Sequence, residues 1–283
     1  MEIVHGHKLP FAPMSLKHRG SRLTFKHLFH GDPSTPENYL LTLGHQTTFY
    51  SPRHRHNFDQ FRFAFRGSVS LAPDILLTEG NLSYHPEGVE YGPQHDVDGE
   101  RDVLVLQFGG ASGQGYLSWE QIGTGQAVLR EQGRMEGGKF FPADGGEAKD
   151  GFEALYETVT GRKLVYPEAR YGDTVIVRPA AMRWVPVSSA EGVWRKLLGV
   201  FSEREARVEL VRVADGAAWD VSGSLLLPAV RLVFVLRGEG RVGEDVLVQE
   251  SAVRVKAGDG GKIEGVKALE MICFVLPQVH AGI

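Results

Sequence analysis

Thiols are scarce in this chain of 283 residues: Cys273 is its one cysteine. That excludes an intramolecular disulfide and a thiolate metal cluster, and the position of Cys273 in the apolar run 269–276 points to a buried, inert thiol in a reducing cytosol. Long hydrophobic runs are missing as well. None approaches the roughly 20 residues that span a bilayer, and the opening ten residues carry no apolar signal core. Neither sign of charge dominates, with a net charge of -4 and a pI near 6.3. No basic run or platform of arginines and aromatics is present, which argues against a nucleic-acid partner. The expectation is a cytoplasmic protein that works away from membranes and nucleic acids.

Glycine, by contrast, is plentiful. Thirty-five glycines and 14 prolines punctuate short apolar runs, the pattern of many brief strands joined by tight turns. The length fits one large β domain or two of about 140 residues. Residues 1–20 read as an irregular tail, and its His5, His7 and His18 receive no role. Strands are expected at 23–29, 39–43, 69–77 and 102–108, with a loop over 31–36. The glycine-rich 109–115 fits neither a phosphate loop nor a dinucleotide fingerprint and reads as a turn or lid. An extended connection follows over 116–146. Phe152, Leu155, Tyr156 and Val159 then recur at helical spacing, which predicts a helix over 147–162 that bridges two halves. Strands resume at 174–178, 195–201, 208–213, 231–236 and 269–276.

The chemistry concentrates in 48–67. His54 and His56 lie two apart, on one face of an extended segment, while Arg53 and Arg55 face the other way. Beyond an irregularity at 57–59, Gln60, Arg62 and Ala64 alternate with Phe61, Phe63 and Phe65, so Gln60 can rejoin the histidines. Arg62, on that same face, reads either as the partner of a carboxylate such as Asp59 or Glu90, or as the grip on an acidic substrate. Gln107 shares a face with Val103 and Val105 in an apolar strand, where an amide needs a buried partner. The order of segments also repeats. Phe61–Gly67 (Phe-Arg-Phe-Ala-Phe-Arg-Gly) matches Leu232–Gly238 (Leu-Val-Phe-Val-Leu-Arg-Gly), which sets Gln60 against Arg231 and the histidines near Leu225 and Leu227. A repeat of this length makes two copies of one β domain, the second without the polar cluster and read as structural.

These residues resemble the cupin family. The first cupin motif is His-x-His, three or four residues, an acidic ligand, six residues and glycine, matched here by His54, His56, Gly67 and, in the acidic ligand's place, the neutral Gln60. The second is Gly, five residues, Pro-x-Gly, two residues and histidine, matched by Gly80, Pro86, Gly88 and, in the histidine's place, Tyr91. The resemblance implies an all-β bicupin: two jelly-roll barrels in tandem with a short connecting helix, namely residues 1–115, a connection over 116–170, and a degenerate barrel over 171–283. It implies His54, His56 and Gln60 as ligands of one divalent transition metal (manganese, iron, nickel or zinc). Arg62 and Gln107 would be substrate contacts, and Tyr91 with Arg62 the catalytic pair. For Tyr91 three roles stay open: a proton-transferring phenol, a ligand and a packing group. His95 and Gln107 are the candidates for a further ligand. His85, by alternation, faces outward. The implied function is a metal-dependent enzyme on a small carbonyl- or carboxylate-bearing metabolite, as isomerase, lyase or cyclase before dioxygenase; the alternative is a non-catalytic cupin that binds a small ligand or serves as a scaffold. Association of cupins through strands and terminal segments points to a homodimer.

Overall fold

The computed structural model describes residues 1–13, 23–32, 38–222 and 229–277. His18, part of the 31–36 loop, and Leu225 and Leu227 lie outside these. The chain forms two compact units, residues 11–176 and residues 1–10 together with 177–283. The boundaries read from sequence fell at 115 and 170.

In the unit of residues 11–176, strands Leu82–His85, Asp59–Arg66, Arg101–Phe108, Tyr39–Gln46 and Leu23–His30 lie side by side, all antiparallel. Phe49–Ser51 pairs with Gln94–Asp96, and Val69–Ala72 with Ile75–Leu77, as the short opposing strands. Alternation sorts the side chains. Leu41, Leu104, Leu106, Phe61 and Tyr84 on one face are buried, and Phe61 stacks on Phe108 with ring centroids 5.3 Å apart. The register sets Gln107 opposite Gln60, Val105 opposite Arg62, and Gln60 opposite His85, so the other face gathers polar groups into the barrel.

Among the described residues, two α-helices belong to this unit. Gly151–Thr160 falls inside the predicted 147–162, starting where Asp150 Oδ1 accepts from the amides of Phe152 and Glu153 at 2.9 and 3.1 Å, and ending at left-handed Gly161. The reading of 116–146 as an extended connection is corrected: Trp119–Gln132 is a helix, started by a capping box of Ser118 and Gln121. Its glycines hid it, since glycine opposes helix by roughly 1 kcal/mol each. Gly125 is there for packing, because a Cβ would stand 2.6 Å from Leu155 Cδ1 and Val159 Cγ2 of the second helix. Leu129, Phe140, Phe152 and Leu155 form one core with Leu40 and Phe58 of the barrel. The helices thus pack on the unit of residues 11–176, where the sequence placed a bridge between halves.

The described residues of the other unit form a nine-stranded antiparallel system around Ala229–Val242 and Lys262–Pro277. Its core holds Val211, Val233, Val253, Met271 and the buried Cys273. The irregular tail is corrected in part: Glu2–His5 is a strand paired with Ser251–Val255, with Glu2 beside Arg254. The repeat reappears in the backbone. Gly67 and Gly238 both adopt positive φ, 69° and 79°, at the ends of the matched segments, where a Cβ would lie 2.8 Å from Glu100 O and 2.3 Å from Ala268 O.

Candidate active site

The polar face of the first barrel converges on one atom, Tyr91 Oη. The segment 52–58 leaves the strand, and His54 meets Tyr91 in an isolated bridge, with amide to carbonyl bonds of 3.0 and 2.9 Å in both directions. That bridge brings the side chains together: His54 Nε2 lies 3.0 Å and His56 Nε2 2.7 Å from Tyr91 Oη, and Arg62 Nη2 donates to the same oxygen at 2.9 Å. The tautomers follow from the network. His54 Nδ1–H donates to the Pro52 carbonyl at 2.7 Å, which in a neutral ring leaves Nε2 as an acceptor for the phenol proton. The phenol oxygen then accepts from His56 and from Arg62, so its three hydrogen-bonding positions are filled.

Arg62 is the hub of the surrounding shell. Its Nε donates to Gln60 Oε1 at 2.8 Å and its Nη1 to Gln94 Oε1 at 3.1 Å. Gln94 is oriented for this by its own amide, which donates to Gln46 Oε1 at 3.0 Å and Asp96 Oδ2 at 2.6 Å. Neither expected carboxylate partner reaches Arg62: Glu90 pairs with Arg53, and Asp59 Oδ1 accepts from the Glu87 amide at 2.9 Å on the opposite face of the strand. Among the described residues, then, every partner of this half-buried guanidinium is neutral.

Gln107 sits on this face beside Gln60 in register, but it is partly exposed and makes no side-chain hydrogen bond among the described residues. The buried partner expected for it is not found among the described residues, and partial exposure leaves the amide to solvent instead. His95 is exposed and packs edge-on against Tyr50 at 5.8 Å, so it stands apart from the cluster. The outward assignment of His85 is corrected. It is 1% exposed, 2.9 Å from Ser83 Oγ, with its ring centroid 4.3 Å from that of Tyr91. Burial, and after it the charge of Arg62, holds its pKa well below the usual imidazole value, so it stays neutral. His85 and Gln94 are what sequence reasoning missed. The signal for Gln94 was alternation within Gln94–Asp96, whose buried ends flank the exposed His95.

Among the described residues, no group of three or more His, Cys, Asp and Glu is placed to hold a metal ion. The donor chemistry explains why. His54, His56, Gln60 and Tyr91 bring no carboxylate, Gln60 Oε1 is taken by Arg62, and a guanidinium stands where an anionic ligand would offset a dication. As arranged, this set does not fit a divalent ion. It would do so only with Tyr91 ionised and Arg62 turned away.

Two antiparallel β units in sequence, the first with its polar groups inside, define the class: the chain has a tandem cupin jelly-roll fold. Solved structures share it. A candidate dioxygenase from Nostoc punctiforme matches at TM-score 0.61 and 12% identity over 99% of this chain and 84% of that one. Ylba from E. coli matches at 0.58 and 10% over 99% and 92%, and the E. coli pirin YhhW, in complex with nickel(II), at 0.55 and 8% over 98% and 99%. No family model and no curated protein matches the chain. Likeness at such identity speaks for the fold alone.

Proposed function

We propose that the first barrel binds a small carboxylate-bearing metabolite and moves a proton on it, chemistry of the isomerase, lyase or cyclase kind. The observation that carries this is Arg62, a half-buried cation held by three neutral acceptors, Gln60, Gln94 and Tyr91. A guanidinium has five N–H donors, so two remain for a carboxylate, and an arriving anion supplies the charge that the site lacks. Gln107, with its amide uncommitted, is the second contact. Tyr91 is the proton carrier: its phenol turns from His54 Nε2 to give its proton to the substrate, and the phenolate, held by the hydrogen bonds from His56 and Arg62, recovers a proton from the substrate. No step in this scheme changes an oxidation state.

The test is calorimetry and solvent-deuterium exchange with a panel of hydroxy- and oxo-carboxylates. Arg62→Gln should weaken binding by roughly tenfold to a hundredfold, the worth of a charge-assisted pair. Tyr91→Phe should bind within a few-fold of the native protein yet lose deuterium incorporation. A ligand that binds regardless of Arg62 would sink the proposal, and Arg62-dependent binding without exchange would leave a non-catalytic binding protein. A second reading, a metal-dependent cupin, is favoured by one observation: the Nδ1–H of His54 on a backbone carbonyl is the support that metal-binding histidines receive.

A further inference from the structure

The second barrel, read from sequence as structural, has a cavity of its own of about 660 Å³, within the range that holds a small metabolite. Its wall includes Arg195, Arg207, Arg231 and Lys262 against two carboxylates, Glu209 and Asp220. Of these, Asp220 is exposed and committed to the Ser222 amide at 2.9 Å. The sheet register groups the others. Arg207 and Arg231 both lie opposite Val275 of the strand between them, so their side chains leave the same face about 10 Å apart at the backbone. Glu209, two residues from Arg207, shares that face.

The charges of Arg195, Arg207 and Arg231 act on Glu209 through space, but no hydrogen bond joins these groups. Arg231 is 6% exposed, and neither it nor Arg207 makes a side-chain hydrogen bond or ion pair among the described residues. Arg195 is 4.0 Å from Glu209 Oε2, beyond hydrogen-bond reach, and that oxygen is buried with no hydrogen-bond partner. A buried guanidinium without acceptors is costly, and its donors need a partner that the described residues do not supply. Arg231 is also the residue that the internal repeat sets at the position of Gln60. Between the charges the wall is apolar, with Trp219, Val211 and Val275.

We propose that the second barrel binds a small organic dicarboxylate. One carboxylate lies between Arg231 and Arg207, the hydrocarbon rests on Trp219 and Val275, and the second carboxylate reaches the more exposed Arg195. The fork of each guanidinium matches a carboxylate edge, and the apolar wall selects an organic anion over a bare oxyanion. The inference stands apart from the proposal for the first barrel, since it uses none of its residues.

Calorimetry and thermal denaturation of the full chain with three probes test it: succinate, its uncharged isostere succinamide, and inorganic phosphate. Succinate should bind and raise Tm, succinamide should do neither, and phosphate should bind more weakly than succinate. Arg231→Gln should weaken succinate at least about tenfold, the loss of one charge-assisted contact. Should that variant fail to fold, Arg207→Gln gives the same measurement. No binding of succinate to the native chain overturns the proposal, as does native affinity in a folded Arg231→Gln protein. Phosphate binding as tightly as succinate overturns the dicarboxylate assignment.

Discussion

Asp59 stands one residue before Gln60 and faces the other way, 1% exposed. Burial pushes its carboxyl from 3.8 up to about 7; the Glu87 charge adds to the rise, while hydrogen bonds from the Glu87 amide and Tyr84 and the charge of Arg170 oppose it. A carboxyl whose pKa rises on folding carries a proton that the unfolded chain has released. Its contribution is therefore complete below pH 3.8 and is lost as pH climbs to about 7, where the buried carboxylate ionises. A rise of about three units at about 1.36 kcal/mol each amounts to about 4 kcal/mol across that window. Asp59→Asn keeps the shape and an oxygen for the Glu87 amide and cannot ionise. In urea titrations from pH 4 to pH 7.5, the native stability should fall relative to the variant by about 4 kcal/mol, with the difference levelling above pH 7. Other titrating groups cancel in the difference between the two proteins. Parallel pH curves would refute the reasoning, as would a carbon-13 titration placing the Asp59 carboxyl near its ordinary value.

Two glycines of the first helix should respond in opposite senses. Gly125→Ala drives a methyl into Leu155 and Val159 at 2.6 Å and should cost about 1–3 kcal/mol, whereas at Gly123 no atom lies within 4 Å and alanine should add up to about 1 kcal/mol. Tm shifts of the same sign in both variants would contradict the packing described. Elemental analysis of untagged protein separates the two readings of the first barrel. A stoichiometric transition metal lost in His54→Ala would establish the metal-dependent reading, while trace metal unchanged by that substitution supports the anion-binding one.

Residues 48–67 and their repeat made the barrels legible, because strand alternation, a glycine at each segment's end and two spaced motifs are local properties that a sequence records. Alternation put His54, His56, Gln60 and Arg62 on one face, and the structure brings them together around Tyr91, with Gln107 beside Gln60 in register. Their partners were not legible. A hydrogen bond depends on where loops return, and only the His54–Tyr91 bridge decides that the phenol, rather than Gln60, lies between the histidines. Only the fold could turn His85 inward and bring Gln94 to Arg62. The helix over 119–132 went unseen for a related reason: its glycines weaken the local signal, and what they allow, contact with Leu155 and Val159, comes from a segment thirty residues away. In the second barrel, the repeat singled out Arg231 as the counterpart of Gln60, but no local pattern links it to Arg207. Sheet register alone places them on one wall, because pairing through Val275 joins strands that the chain keeps apart.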